Sequence, residues 1–183
     1  IKFELAKLES DLAQDQCSFR ANMKLLAVVA LLFFLQQLVE FFILRDLGKT
    51  YSDLCSWDCG WYSSIMDRGY DLLQDEAQSN VAFFPLLPIF ALIVKKLFGL
   101  SSAVALIVVS KVFFLLAIFA FIKFCKKYLP EVSLIAAGIA AAFNPYAIYA
   151  NAGYTEALFL FFTCSCFYFM KQKKYWRCGF CSV

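Results

Sequence analysis

The grouping in this chain most suggestive of chemistry is Ser56-Trp-Asp-Cys-Gly-Trp-Tyr-Ser-Ser-Ile-Met-Asp-Arg-Gly-Tyr70, which sets Asp58 among Trp57, Trp61 and Tyr62. The sequence contains no histidine, so imidazole catalysis and His-ligated zinc are absent, and carboxylates and lysines become the groups of interest. Ser56 is expected to cap a short helix, which puts Asp58 in a first turn where negative charge is favoured. Trp57, Trp61 and Ile65 recur at four-residue spacing and should share a face, with Gly69 ending the helix and Tyr70 anchoring its exit. The competing account is an aromatic-belt helix with its rings at headgroup level and no chemistry. Glu156, in the segment Asn144 to Ala157 with Tyr154 just before it, opens an apolar run and is either a site group or a stabiliser of a helix start. Lys111 lies inside an apolar run, about 13 Å from its start. An ionisable group at that depth is a functional candidate whose partner would be a lipid phosphate or Glu156; otherwise it snorkels or pairs within its own helix.

The elements that must position these residues are read from composition. Apolar residues make up 62% of the 183, with 22 Phe, against roughly 45–50% in an ordinary soluble domain. That excess excludes a soluble enzyme, a nucleic-acid binder and a disordered tail, and fits helices of about 20 apolar residues crossing a bilayer. A net charge of +3 is too small to call for a polyanionic partner. Four apolar runs are expected to cross: Leu25–Leu44, Ser102–Ile122, Val132–Ala150 and Gly153–Met170. The run Val81–Leu100 is interrupted by Pro85 and Pro88 and carries Lys95–Lys96, which leaves too short an apolar core to cross.

Charge sets the topology. With Val81–Leu100 lying along the interface as a Pro-bent helix, the basic clusters Lys123–Lys127 and Lys171–Arg177 both fall on the inner side. The loop from Arg45 to Asn80, with seven acidic residues against three basic ones, then lies outside, and so does the turn from Tyr149 to Glu156. Of the 8 cysteines, Cys125, Cys164 and Cys166 read as small hydrophobes in or beside apolar runs. Cys55 and Cys59 flank Trp57–Asp58 and can bridge if that loop faces an oxidising compartment. Cys178 and Cys181 form a single C-x-x-C that reads as a chance pair in a Cys-rich chain. Met23–Lys24 precedes the first apolar run as a natural start would, so residues 1–24 read as a cytosolic segment whose first 22 residues need not be native. The end at Val183, just after a basic cluster, reads as the edge of a piece of a longer protein.

The order Trp57-Asp58-x-x-Trp61-Tyr62-x-x-Ile65-x-x-x-Gly69-Tyr70, Asn80-x-x-Phe83-Phe84-Pro85-Leu86-x-Pro88, Asn144-Pro145 and Tyr154-Thr155-Glu156-Ala157-Leu158-Phe159 resembles the GPI mannosyltransferase 2 family and its bacterial relatives. The resemblance covers residues 25–183, as the N-terminal part of such an enzyme. It implies an all-α integral-membrane fold of the GT-C glycosyltransferase type: a helical bundle fragment with about four transmembrane helices and interfacial helices in an outer loop over 45–101. It further implies transfer of mannose, with inversion, from a polyprenyl or dolichyl phosphate donor to a glycolipid hydroxyl on the luminal or periplasmic side. The host membrane would be the endoplasmic reticulum of a eukaryote or the inner membrane of a bacterium. By this resemblance Asp58 is the catalytic base and Trp57, Trp61, Tyr62, Lys111, Tyr154 and Glu156 contact substrate. Lys111 would steady the departing phosphate, and no cofactor or metal is called for. The absence of Asp-x-Asp agrees with a lipid-linked donor. A chain missing further spans should turn over poorly alone, and the alternative is a non-catalytic multi-pass protein or a degraded remnant.

Overall fold

The computed structural model describes residues 2–71 and 79–181, with side chains from Arg20 onward; positions 72–78 of the acidic loop lie outside the described residues. Seven α-helices and three 3-10 segments follow in order, with no strand among the described residues. They are α1 (Lys2–Asp46), α2 (Asp58–Arg68), α3 (Leu86–Phe98), α4 (Ser102–Tyr128), α5 (Leu134–Ala142), α6 (Glu156–Lys171) and α7 (Tyr175–Cys181). Among the described residues two stretches are long and apolar enough to cross a membrane: Arg20–Asp46 of α1 and the whole of α4.

Local sequence explains most of the boundaries. Pro85 stands at the N-cap of α3, where its missing N–H costs nothing, and Lys95 and Lys96 in the last turn suit the negative end of the helix dipole. Ser101 caps α4 through Val104 N–H at 3.4 Å, and Ser133 caps α5 through Ala136 N–H at 3.0 Å. The expected continuous span over Val132–Ala150 does not form. Asn144 caps a new 3-10 segment, Pro145–Asn151, by accepting from Tyr146 N–H at 3.0 Å. Because the residue before a proline avoids the helical region, α5 stops at Ala142. The chain therefore returns along the bundle as a nine-residue helix followed by a 3-10 segment. Helix α6, at 16 residues, reaches about 24 Å, short of the roughly 30 Å hydrocarbon core.

Helix α4 is the axis. Its first half joins one apolar cluster with Leu44, Leu54, Cys59, Tyr62, Leu87, Ala91 and Leu158. Its second half, from Phe114 to Cys125, joins another with Leu25, Val29 and Leu32 of α1 and a set of alanines from α5 onward. Those small residues let backbones approach closely. Gly138 is the extreme case, since a Cβ there would collide with the Leu32 side chain. Alongside, α6 runs in the same direction as α4, with Phe113 against Phe161 and Phe162 at 5.8 and 6.1 Å between ring centres. At their far end Tyr128 donates to the Phe167 carbonyl at 3.0 Å and Lys171 sits over the Tyr128 ring. The two basic clusters thus gather at one end of the bundle, and α2, α3 and the start of α6 at the other.

Candidate active site

The segment before α2 is shaped by a covalent ring. Cys55 and Cys59 are disulfide-bonded, enclosing Ser56, Trp57 and Asp58. Inside that ring Ser56 does not cap the helix as expected; its hydroxyl donates to the Asp53 carbonyl at 3.0 Å. The N-cap is Trp57, at φ 53° and ψ −116°, a conformation that costs an L-residue on the order of 1–3 kcal/mol. Trp57 is 86% exposed, and Asp58 follows it, exposed, as the first residue of α2. The buried face of α2 is accordingly Cys59, Tyr62, Ile65 and Met66, not the expected stripe through Trp57. Gly69 ends the helix as expected, and the Tyr70 hydroxyl anchors the exit by donating to the Phe83 carbonyl at 2.7 Å.

Phe83 is the platform under the two aromatic residues of α2. Trp61 stacks on it at 5.9 Å and 20°, and Tyr62 meets it edge-on at 5.1 Å. Phe83 is itself placed by the neighbouring Asn80, whose fully buried amide donates to Gly69 carbonyl at 3.0 Å and accepts from Asp71 N–H at 2.8 Å. A buried amide with both ends satisfied fixes the loop strongly, because losing a partner would strand a polar group. A second tie joins α2, α3 and α4: Lys95 reaches Asp67 at 2.7 Å and Ser102 at 2.8 Å. Ser102 in turn donates to the Asp67 carboxylate at 2.5 Å, and the hydrogen bonds to that carboxylate, from Lys95 first and Ser102 second, hold the Asp67 acid below the usual carboxylate range.

The turn leading into α6 packs against this loop. Buried Tyr154 donates its hydroxyl to the Ser56 carbonyl at 2.9 Å across 98 residues of sequence. Its own carbonyl accepts from Ser110, a fully buried hydroxyl of α4, at 3.1 Å, and its ring stacks on Tyr149 at 5.9 Å. Glu156 opens α6, exposed. Tyr62 lies where the two segments meet, near Thr155. Burial first, and after it the negative fields of Asp58, Glu156 and neighbouring Tyr70, raise its phenol above the ordinary value. The segments carrying Asp58 and Glu156 pack together through the Tyr154–Ser56 bond, and neither carboxylate has an ion-pair partner among the described residues.

Lys111 belongs elsewhere. Its ammonium contacts Glu40 and Gln37 of α1 at 2.5 Å and lies 5.0 Å from the Tyr51 ring centre. Gln37 extends the network to Asn151 at 3.0 Å, and Gln36 reaches Glu40 at 3.5 Å. Of the two expected partners, a lipid phosphate or Glu156, the side chain of Glu156 is not the one it takes. Sequence reasoning also passed over Gly153, Ser110 and Asn80 as placing residues, of which only Asn80 stood within a quoted motif. Cys166, read as apolar filling, instead faces Cys178 of α7 with sulfurs 2.7 Å apart. Among the described residues no group of three or more His, Cys, Asp or Glu side chains is arranged to hold a metal ion.

The model of one protein family, described as mannosyltransferase (PIG-V), matches residues 20–181. No curated protein and no solved structure matches the chain.

Proposed function

We propose, from the premise that the chain belongs to the mannosyltransferase (PIG-V) family, that Asp58 is the general base of a mannosyl transfer to a glycolipid hydroxyl. The acceptor hydroxyl gives its proton to the Asp58 carboxylate while its oxygen bonds to the anomeric carbon of mannose. The bond from that carbon to the phosphate oxygen of a polyprenyl or dolichyl donor breaks with inversion, and the lipid phosphate leaves with the electron pair. Trp57 and Trp61 offer ring faces to the sugars, and Tyr154 holds the two carboxylate-bearing segments together beside Tyr62. Glu156 orients the acceptor or shares its proton. Lys111 is given no step with phosphate, because its ammonium is already taken up by Glu40 and Gln37.

The observation that carries this reading is the packing of the turn before Glu156 against the loop that holds Asp58, tied by the Tyr154 hydroxyl to the Ser56 carbonyl at 2.9 Å. Two exposed carboxylates at one end of a helical bundle suit a polar reaction at the membrane surface. The luminal or periplasmic side follows from two supports. A Cys55–Cys59 bridge persists in oxidising compartments. The basic clusters around Lys123–Lys127 and Lys171–Arg177 lie at the far end of α4 and α6, as the positive-inside tendency prefers. In this topology α1 and α4 cross, and the broken return through α5, together with α6, completes the four passes.

The test is Asp58→Asn in the full-length protein, assayed with radiolabelled lipid-phosphate mannose and a glycolipid acceptor. Transfer should fall about 100- to 10,000-fold, the usual contribution of a general base, with expression and thermal stability in detergent unchanged. Transfer at the parent rate would remove Asp58 from catalysis, whereas absence of transfer by the parent protein itself would favour a non-catalytic membrane protein.

A further inference from the structure

The Cys55–Cys59 bridge has a partner outside its own loop. Cys59 is fully buried, and its sulfur rests against Gly153: a Cβ built on that glycine would lie 2.6 Å from Cys59 Sγ and 3.4 Å from Leu106 Cβ. Gly153 also has φ +78°, where side chains are rarely tolerated. The seat is therefore closed to any larger residue on two independent grounds. Beside it the same two segments are joined again, by Tyr154 hydroxyl to Ser56 carbonyl at 2.9 Å. Asp58 lies inside the ring, one residue before Cys59, and Glu156 lies three residues after Gly153.

We propose that the disulfide, seated on Gly153, is a positioning element of the transfer site: it fixes where the Asp58 carboxylate stands relative to Glu156. Cys55, Cys59 and Gly153 touch no substrate in this scheme; they act through Asp58. The unfavourable backbone of Trp57 is the sign of that constraint, since an open loop would relax to a conformation in which Ser56 can cap α2. Any such relaxation moves Asp58, and a misplacement of 1 Å at a reacting group can cost about 100-fold in rate. The inference rests on the reading of Asp58 as base and adds that the site is complete only in its oxidised form.

The experiment uses full-length protein carrying Cys55→Ala with Cys59→Ala. The expected result is a kcat about 10- to 100-fold lower, with KM for the lipid-phosphate mannose within about 3-fold, and parent activity that falls in dithiothreitol while the double variant is indifferent to it. Gly153→Ala, which keeps the bridge but lifts its seat, should reproduce the kcat loss. A purely structural role would lower stability and the amount of active protein while leaving kcat per folded molecule at the parent value. Should the double variant not fold, the parent is reduced and its helical circular dichroism followed. Lost kcat with helix content kept supports the proposal, and unchanged kcat once Cys55 and Cys59 react with maleimide overturns it. Parent-level kcat in the double variant overturns it too, as does peptide mapping that finds both thiols free in active enzyme. Asp58→Asn separates this failure from that of the base assignment. If Asp58→Asn is inactive and the bridge variant normal, only the positioning falls; if Asp58→Asn is active, both fall.

Discussion

Glu40 and Asp58 are carboxylates toward the same end of the bundle, and their surroundings differ in almost every respect. Glu40 is buried on α1, pairs with Lys111 and shares a network of glutamines and an asparagine that reaches Asn151. Asp58 is exposed at the head of α2, next to a strained tryptophan, with no ion pair among the described residues. The first charge is spent on protein: in an apolar setting each ion of the pair satisfies the other, and α1, α4 and the 3-10 segment are pinned together. The second is held in position by everything around it except a counter-charge, which is the arrangement a proton acceptor needs. The contrast separates two kinds of polar residue in a chain rich in Phe and Leu: those that secure helices and those that face a substrate.

The sharpest way to break the contrast is to neutralise each carboxylate in turn. Asp58→Asn should remove transfer and leave stability alone. Glu40→Gln should do the reverse, costing about 3–5 kcal/mol by stranding the Lys111 ammonium, seen as a fall in detergent melting temperature with residual activity tracking the folded fraction. Replacing both members, Glu40→Leu with Lys111→Met, should recover most of that loss, because two matched apolar side chains cost far less than one orphaned ion. If Lys111→Met alone lowered kcat with no loss of stability, Lys111 would belong to the site after all. One step smaller is Asn80→Ala, which leaves the Gly69 carbonyl and Asp71 N–H without their amide and should cost about 1–3 kcal/mol. Its effect should concentrate on the loop, as faster proteolysis around Gly69–Asn80 before any change in the helical signal.

Much of this arrangement is local, and local features are legible in sequence. The α2 stop at Gly69, the entry of α3 after Pro85, and the all-helical class all follow from residue types and spacing. The turn before Glu156 packs against the segment that carries Asp58, through the Tyr154 hydroxyl on the Ser56 carbonyl. What sequence could not carry is whatever depends on a distant partner. Lys111 chooses Glu40, 71 positions away, and nothing in either neighbourhood announces it. Ser56 has the right type for an N-cap, but the Cys55–Cys59 ring turns its hydroxyl back to Asp53. Asn144–Pro145 did signal a break; read as the end of a span, it hid that the helix had stopped at Ala142. Gly153 shows its meaning only when the sulfur above it is known.

The smallest effect expected concerns the tie beneath the site. Asp67 is half-exposed, and hydrogen bonds from Lys95 and then Ser102 lower its acid below the ordinary value. A carboxyl with a depressed folded pKa contributes stability that is fully present above its unfolded value, about 3.9, and is lost as pH falls through the lower folded value. Lowering the pH from about 5 toward 3 should therefore loosen the α2–α3–α4 junction. Because solvent screens an exposed pair, the change should stay below about 1 kcal/mol and shrink further in salt. Asp67→Asn should flatten that acid limb in a melting series while barely moving stability at neutral pH. A variant that instead lost several degrees at neutral pH would show that the junction rests on this charge far more than its exposure implies, and the division between structural and site carboxylates would have to include Asp67 on Glu40's side.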